Sequence, residues 1–202
     1  MPSVYQLKSR FQGLLRPLVV KLAVKGVTAN QVTTAATVLS VIYGALMFWL
    51  HDSRALFLLL PVFLFFRMAL NAVDGMLARE HNMKSRLGAV LNELGDVISD
   101  TALYLPFAFV TAGGAWLVII ICLLAVISEM TGVVGLQIGA SRRYDGPMGK
   151  SDRAAAFGTI GFVLGLGFQP GWWFTLALAA ILLLVAYTIY NRASRALREN
   201  AA

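Results

Sequence analysis

Acidic and amide side chains stand at regular spacing in two otherwise apolar stretches of the sequence. In the first, residues at offsets of three, four, seven and eight positions share one face of a helix: Asn71, Asp74, Gly75, Ala78 and Arg79. In the second, every fourth position carries one such residue: Asn92, Asp96 and Asp100. Because a charged group inside an apolar helix is costly, these residues indicate a functional site.

Facing helices that present carboxylate and amide oxygens predict a site for a hard divalent cation. Mg²⁺ and Mn²⁺ prefer oxygen ligands, and phosphate oxygens commonly complete their coordination. The small residues Gly75 and Ala78 leave room for such a ligand. A zinc site is not indicated, because His51 and His81 fall in loops and no cysteine joins the cluster.

The same acidic residues have a purely structural interpretation, which is a network of ion pairs. Candidate partners within reach along the chain are Arg67, Arg79 and Arg86. Glu129 stands alone in a later apolar stretch, and its sequence context favours neither a functional nor a structural role.

The segments that carry these residues have the composition of membrane spans. Hydrophobic residues make up 58% of the 202 residues and charged residues 13%, with a mean hydropathy of +0.73, whereas soluble domains are far more polar. A span needs about 20 mostly apolar residues. Six apolar segments can be drawn on this basis, with ends uncertain by about four residues: Gln31–Leu50, Leu56–Asn71, Leu87–Ala112, Ala115–Gly139, Ala154–Phe168 and Trp172–Tyr190.

We therefore predict an all-α integral membrane protein with six transmembrane helices. A basic interfacial segment covers residues 1–30, the membrane domain residues 31–190, and a cytoplasmic C-terminal tail residues 191–202. In the first of these, an apolar stripe predicts an amphipathic helix lying on the bilayer surface; it consists of Leu14, Leu18, Val19 and Leu22. The alternative is a basic tail that only anchors the chain.

The basic residues predict the orientation of the chain in the membrane. All but two of the seventeen, Arg54 and Arg67, precede the first segment, follow the sixth, or fall in the second and fourth breaks. The positive-inside rule puts that side in the cytoplasm, together with both termini and the acidic cluster, which indicates the inner (plasma) membrane. This explains the net charge of +7 without a nucleic-acid partner, since no basic stripe is interleaved with aromatic residues.

The spacing of the acidic cluster also resembles a family signature. Asn71-x-x-Asp74-Gly75-x-x-Ala78-Arg79, then Gly88-x-x-x-Asn92-x-x-x-Asp96 after eight residues, is similar to the signature of the CDP-alcohol phosphotransferases. The stretch from Gly26 to Thr33 resembles the segment that leads into the family's first span, with Ala29 in place of a proline.

This resemblance implies a metal-dependent enzyme of phospholipid biosynthesis. Such an enzyme transfers a phosphatidyl or similar phosphoalcohol group from a CDP-alcohol, here expected to be CDP-diacylglycerol, to a polar hydroxyl acceptor and releases CMP. The cofactor expected is Mg²⁺ or Mn²⁺, as one or two ions, and the enzyme is expected to be a homodimer in the lipid bilayer.

The resemblance also implies roles for individual residues. Asp96 is expected to be the catalytic base. The expected metal ligands are Asn71, Asp74, Asn92, Asp96 and Asp100. The expected contacts to the CDP-alcohol are Asn30, Thr33, Gly75, Ala78, Arg79, Ser85 and Gly88. For Asn30 and Thr33 the alternative role is capping of the first span's helix.

Two departures from the signature bear on the metal site. Aspartate stands in the family at the positions of Asn71 and Asn92, and asparagine contributes an oxygen ligand but no charge. One hypothesis is that Asp100 or Glu93 restores the missing charge. The other is that only one metal ion binds.

The basic loop before the fifth segment is a candidate acceptor site. Arg143, Lys150 and Arg153 are expected to contact an anionic acceptor such as a phosphorylated polyol. The alternative is a topogenic loop that touches lipid headgroups. For the whole chain, two other interpretations stay open: a catalytically impaired relative that binds nucleotide or lipid, and a small cation transporter, which would spread its acidic residues through the membrane depth.

Overall fold

The computed structural model of the protein describes residues 4–110 and 114–199. Every regular element within these residues is helical, which confirms the predicted all-α class. The helices are α1 (Val4–Val24), α2 (Ala29–Trp49), α3 (Arg54–Glu80), α4 (Arg86–Tyr104), α5 (Ala115–Gln137), α6 (Lys150–Gly165) and α7 (Trp172–Glu199).

Two helices differ from the predicted segments in a way that matters for the site. α3 continues past Asn71 to Glu80, so Asp74 and Arg79 lie on the same unbroken helix as the apolar residues before them. The segment Leu87–Ala112 is not one α-helix, because α4 is followed by a 3₁₀ helix, Leu105–Phe109. Proline lacks an amide hydrogen and clashes with the preceding turn, which explains why the α-helix stops just before Pro106. The predicted end at Ala112 and the turn at Gly113 lie outside the described residues.

Among the described residues, four helices are long and apolar enough to cross a membrane, namely α2, α3, α5 and α7. α6 has only 16 residues, and α4 carries the acidic residues of the cluster. These two helices depend on their neighbours to shield them. Six spans, with both termini in the cytoplasm, therefore stay a prediction.

Close backbone contacts hold the bundle together. α2 packs against α4 and α3, α3 against α6, and α5 against α7. A Cβ atom at Gly44 of α2 would lie 2.2 Å from the carbonyl oxygen of Ala102 in α4, so only glycine allows this approach. Between α4 and α6 the rings of Tyr104 and Phe157 stack with centroids 4.2 Å apart.

α1 has one buried and one exposed apolar side. Val19 is fully buried in a cluster with Met76 and Leu77 of α3, while 79% of Leu14 is exposed. Arg16 also pairs with Glu80 at 3.0 Å, which ties α1 to the end of α3. The exposed apolar side fits the helix predicted to lie on the bilayer surface, and that location stays a prediction.

Candidate functional site

The first turns of α2 and α4 meet at one end of the bundle. Thr28 caps α2 through a reciprocal pair of hydrogen bonds with Gln31, at 3.2 and 2.9 Å. Ser85 caps α4 by accepting a hydrogen bond from the amide of Gly88 at 2.9 Å. Asn30 Nδ2 donates to Ser85 Oγ at 3.2 Å and links the two helix starts. Because Thr28 caps α2, the side chain of Asn30 is not needed for capping and can contact other groups.

α3 lies beside these helix starts and brings its polar face to them. Thr33 Oγ1 donates to Asp74 Oδ2 at 2.7 Å, and both side chains are buried. This hydrogen bond fixes the orientation of the Asp74 carboxylate.

A cavity of about 530 Å³ opens at this junction, and we call it the donor cavity. It contains every residue that was predicted to contact a CDP-alcohol, together with Asp74. Its lining is Asn30, Thr33, Asp74, Gly75, Ala78, Arg79, Met83, Lys84, Ser85, Gly88, Ala89, Asn92, Glu93 and Tyr144. Among the described residues, no carboxylate oxygen lies within 4.0 Å of the charged nitrogens of Arg79 or Lys84. These two cations are therefore available to an anionic ligand.

Asp96 is held by donors from two other helices. Its carboxylate accepts hydrogen bonds from Lys150 Nζ at 2.5 Å, Asn71 Nδ2 at 3.1 Å and Arg67 Nη2 at 3.3 Å. Asn71 Oδ1 has no partner among the described residues, so the amide oxygen is available as a ligand. The Asp96 side chain is only 10% exposed, so these three donors largely enclose its carboxylate.

Asp100 and Glu93, the two residues proposed to replace the missing charge, are both engaged in ion pairs. Asp100 is 3% exposed and accepts from Arg67 Nη1 at 2.7 Å and from Arg153 Nη2 at 2.9 Å. Glu93 accepts from Arg142 at 2.7 and 2.5 Å. The ion-pair interpretation therefore holds for Asp100 and Arg67. It does not hold for Arg79, which pairs with no carboxylate of the described residues.

Glu129 lies at the centre of an ion-pair network. Its carboxylate is 3.0 Å from Arg153 Nη2, 3.2 Å from Arg192 Nη1 and 3.4 Å from Arg142 Nη2. Glu129 and Arg192 are almost completely buried. Sequence reasoning missed Arg142 and Arg192, although an isolated glutamate in an apolar helix signals that a basic partner must approach it.

A second cavity, of about 260 Å³, lies next to the donor cavity, and we call it the acceptor cavity. Its lining is Asn92, Asp96, Glu129, Arg142, Tyr144, Gly149, Lys150, Ser151, Asp152 and Arg192. Asn92 and Tyr144 line both cavities. The guanidinium of Arg142 lies 4.3 Å from the centroid of the Tyr144 ring, which positions the ring at this boundary.

Of the three basic residues predicted to contact the acceptor, the structure brings only Lys150 to this cavity. Arg153 is 1% exposed and is enclosed by Asp100 and Glu129. Arg143 lies outside the cavity and pairs with Asp145 at 2.7 Å and with Glu199. The sequence shows that these side chains are cationic but not which carboxylate each will meet.

Asp145 anchors the loop between α5 and α6. It accepts hydrogen bonds from Arg143 and from Arg195, each at 2.7 Å. Burial opposes ionisation of this carboxyl, but the hydrogen bonds from the two arginines outweigh it and lower the pKa of Asp145. The loop that lines the acceptor cavity is thus held to α7 by charge.

Of the expected metal ligands, only Asp74 and Asp96 bring carboxylates to the two cavities. In the described residues no group of three or more acidic, histidine or cysteine side chains is arranged to hold a metal ion. Asp74 lines the donor cavity, Asp96 the acceptor cavity, and Asn92 both. Two carboxylates and two amides offer about half the negative charge of four carboxylates, so phosphate oxygens would have to complete the coordination.

The chain is similar in sequence to a known protein along almost its whole length. The chain is 47% identical, over 201 residues, to "Inner membrane protein YnbA" of Escherichia coli (strain K12), and the match covers 98% of both chains. This relative and the four long apolar helices support a membrane-embedded protein.

Solved structures share the fold. Phosphatidylinositol phosphate synthase (PgsA1) of Mycobacterium tuberculosis with CDP-DAG bound superposes with a TM-score of 0.75 at 20% identity, covering 89% of this chain and 92% of that one. The same enzyme in complex with manganese and citrate gives 0.75 at 21% identity, covering 90% and 88%. At such identities the likeness concerns the fold.

A model of one protein family matches most of the chain. The family model described as CDP-alcohol phosphatidyltransferase matches residues 26–190, which include α2 to α6 and most of α7. The resemblance predicted from the spacing of Asp74, Arg79 and Asp96 is therefore confirmed. The chain belongs to the CDP-alcohol phosphatidyltransferase family.

Proposed function

We propose that this protein transfers a phosphatidyl or similar phosphoalcohol group from a CDP-alcohol, with CDP-diacylglycerol as donor, to a hydroxyl acceptor and releases CMP. One observation carries the proposal. The donor cavity contains every residue predicted to contact the CDP-alcohol, and it borders, at Asn92, a second cavity that contains Asp96. A reaction between a nucleotide donor and a separate acceptor needs two such adjoining compartments.

The donor cavity would bind the nucleotide and its pyrophosphate. Arg79 and Lys84 supply the unpaired positive charge that a pyrophosphate requires. Gly75 and Gly88 remove side-chain bulk where the ligand would approach the helices. Asn30 and Ser85, already hydrogen-bonded to each other, offer further polar contacts at the mouth of the cavity.

One Mg²⁺ or Mn²⁺ ion would be held by Asp74 and Asp96 with the amide oxygens of Asn71 and Asn92. Asp100 and Glu93 are left out of this ligand set because both oxygens of each carboxylate are held by arginines. Asp96 differs because one of its partners, Lys150, has a flexible and 38% exposed side chain that can leave it. When bound, the metal supplies positive charge that stabilises the phosphate groups during transfer. Titration with Mn²⁺ is expected to give one ion per chain, and two ions would contradict this ligand assignment.

Asp96 would act as the catalytic base from the acceptor side. Its carboxylate takes the proton of the acceptor hydroxyl while the hydroxyl oxygen forms a new bond to the donor phosphorus. The bond from that phosphorus to the CMP oxygen breaks, and CMP leaves with the electron pair. Arg67 and Lys150 donate hydrogen bonds to Asp96 and orient its carboxylate in the absence of a metal.

The site would face the cytoplasm in a six-span protein of the inner membrane that works as a homodimer. The positive-inside rule supports this orientation, because the basic residues of the α3–α4 and α5–α6 connections lie at the same end of the bundle as the two cavities. Insertion of a cysteine label after Arg198, followed by reaction with a membrane-impermeant reagent in intact cells, tests the orientation. Labelling from outside the cell would contradict it.

The test of the activity uses purified full-length protein in lipid vesicles. CDP-diacylglycerol, Mn²⁺ or Mg²⁺ and a panel of hydroxyl acceptors are supplied, and CMP release is measured. Asp96→Asn is expected to reduce the rate by about 100-fold or more. The matched control is Asp52→Asn, because Asp52 is exposed and remote from both cavities.

A catalytically impaired protein is a second candidate, favoured by Asn71 and Asn92 at positions where the family has aspartate. Such a protein would bind CDP-diacylglycerol without releasing CMP. Restoring the charge with Asn71→Asp and Asn92→Asp separates the two candidates. Activity that appears only in the restored variant would favour the impaired protein, whereas activity in the wild type refutes it.

A further inference from the structure

The cations of the acceptor cavity are all neutralised by carboxylates of the protein. Arg142 is bound by Glu93 at 2.7 and 2.5 Å. Arg192 lies 3.2 Å from Glu129 and donates to the carbonyl oxygen of Ser128 at 2.6 Å. Lys150 lies 2.5 Å from Asp96. A phosphate group that entered this cavity would have to share these cations with the carboxylates that already hold them.

Unpaired charge in the same cavity is negative. Asp152 lines the cavity and is exposed, and no basic nitrogen of the described residues lies within 4.0 Å of its carboxylate. Its Oδ2 accepts a hydrogen bond from the amide of Gly149 at 3.0 Å, which leaves Oδ1 available. One nitrogen of Arg142, Nη1, has no partner, but it is buried and does not reach the cavity surface. The cavity thus offers an anion no cation that lacks a carboxylate partner among the described residues, and it presents a free carboxylate instead.

The donor cavity shows the opposite arrangement. Arg79 and Lys84 line it with no carboxylate within ion-pair distance among the described residues. The chain therefore keeps free cations where a pyrophosphate is expected and removes them where the acceptor is expected. The two cavities adjoin and yet differ in unpaired positive charge. The difference is therefore a local property of the acceptor cavity and does not follow from the basic charge of the whole protein.

Binding of a metal at Asp96 would release one cation at most. Lys150 is 38% exposed and could swing away from Asp96 when that carboxylate ligates a metal. Arg142 and Arg192 would stay paired with Glu93 and Glu129, which are not metal ligands in the proposed function. The released lysine would face the free carboxylate of Asp152, and the arginines of the cavity would still be shared with carboxylates.

We propose that the acceptor is an alcohol without a phosphate group, such as an uncharged polyol. This inference rests on the proposed function and names the acceptor class for it. The hydroxyl groups of a polyol can donate to Asp96 and Asp152 and can accept from Ser151 or Lys150, so a polyol satisfies the cavity without breaking an ion pair. The expectation from sequence, a phosphorylated polyol held by Arg143, Lys150 and Arg153, gives way to an acceptor held by hydrogen bonds.

The test compares matched acceptors on the purified full-length protein in vesicles with CDP-diacylglycerol and Mn²⁺. Glycerol is compared with glycerol 3-phosphate, and inositol with inositol 1-phosphate, by CMP release and by product lipid. The unphosphorylated member of each pair is expected to react about tenfold faster or more at equal subsaturating concentration. Equal or faster reaction of the phosphorylated members would overturn the inference and leave the proposed function intact.

A variant that removes the charge of Glu93 tests directly whether paired cations exclude a phosphate group. Glu93→Gln removes the closer of the two carboxylates that hold Arg142 and leaves it only Glu129 at 3.4 Å. The substitution is expected to raise the rate with the phosphorylated acceptor, relative to the unphosphorylated one, about tenfold. Glu80→Gln is the matched control, because Glu80 pairs with Arg16 on the surface. An unchanged ratio in Glu93→Gln, in a protein that folds and turns over, would contradict the claim that paired cations exclude phosphate.

A separate measurement decides the inference if no acceptor reacts and the proposed function fails. Inorganic phosphate is titrated by calorimetry into the protein with CDP at saturating concentration, so that the donor cavity is filled. The absence of saturable phosphate binding by the wild type supports an acceptor cavity that excludes phosphate. Saturable binding under these conditions overturns the inference.

Discussion

Replacing Asp100 by asparagine distinguishes a structural carboxylate from a metal ligand. Asp100 lies one helical turn beyond Asp96 and is 3% exposed. Its two oxygens meet two arginines, Arg67 Nη1 at 2.7 Å and Arg153 Nη2 at 2.9 Å. Asp100→Asn keeps the shape of the side chain but removes the charge and presents an amide hydrogen to one of the guanidinium groups. We expect lower stability and an unchanged metal site.

The size of the effect follows from the contacts that remain. Removing one partner of a buried ion pair costs about 3–5 kcal/mol. Arg153 keeps Glu129 at 3.0 Å, and Arg67 keeps Asp96 at 3.3 Å, so the lower end, about 3 kcal/mol, is expected. For a chain of this length that loss corresponds to a Tm lower by about 6–12 °C.

The assay has two readouts on the same purified protein. Thermal unfolding in detergent gives the change in Tm, and calorimetric titration with Mn²⁺ below the Tm gives the stoichiometry and Kd. Asp52→Asn is the control, since its side chain is 99% exposed. A variant that melts like the wild type but has lost Mn²⁺ binding would refute the structural role and make Asp100 a ligand.

Further variants examine the helix contact, the support of Asp74 and the charge of the loop. Gly44→Ala is expected to lower the Tm by about 3–10 °C, because its Cβ would lie 2.2 Å from the carbonyl oxygen of Ala102; no change in Tm would contradict that close contact. Thr33→Val removes the hydroxyl that donates to Asp74 at 2.7 Å, and calorimetry should show about tenfold weaker Mn²⁺ binding. Asp145→Asn should be less stable than the wild type at neutral pH. This difference should vanish as the pH falls through the lowered folded pKa, below the ordinary value of 3.8; a difference that persists in acid would contradict the role of the charge.

Two of these variants, Gly44→Ala and Thr33→Val, have matched controls in the chain. Gly13→Ala adds a Cβ that meets no atom within 4 Å, so it isolates the effect of helix propensity from that of contact. Thr159→Val removes a hydroxyl that bonds only to the backbone of its own helix, at Ala155. Neither control is expected to lower the Tm or weaken Mn²⁺ binding.

Local geometry made part of the site predictable from the sequence. Helical spacing depends only on the backbone, so Asp74, Gly75 and Arg79 could be put on one face before any contact was known, and they do line one cavity. Family resemblance added Asn30 and Ser85, which lie on other elements and carry no spacing relation to Asp74. Apolar length likewise indicated α2, α3, α5 and α7, because the membrane acts on composition.

Contacts between distant helices could not be predicted in the same way. A basic residue is compatible with any carboxylate that the packing brings to it, and the packing of α6 decides that Arg153 meets Asp100 and Glu129 rather than a ligand. The partnership of Arg142 with Glu93 depends on the path of the loop after α5 in the same way. The acceptor site was therefore the part of the prediction most altered by the structure.

The measurement that tests the central claim most directly is a mass balance of the transfer reaction. Wild-type protein in vesicles with CDP-diacylglycerol, Mn²⁺ and an unphosphorylated polyol should form CMP and a new phospholipid in equal amounts. Asp52→Asn should do the same, whereas Asp96→Asn and chelation of the metal should abolish both products. Transfer by Asp96→Asn at the wild-type rate, or wild-type protein that binds CDP-diacylglycerol and forms neither product with any acceptor, would contradict the account.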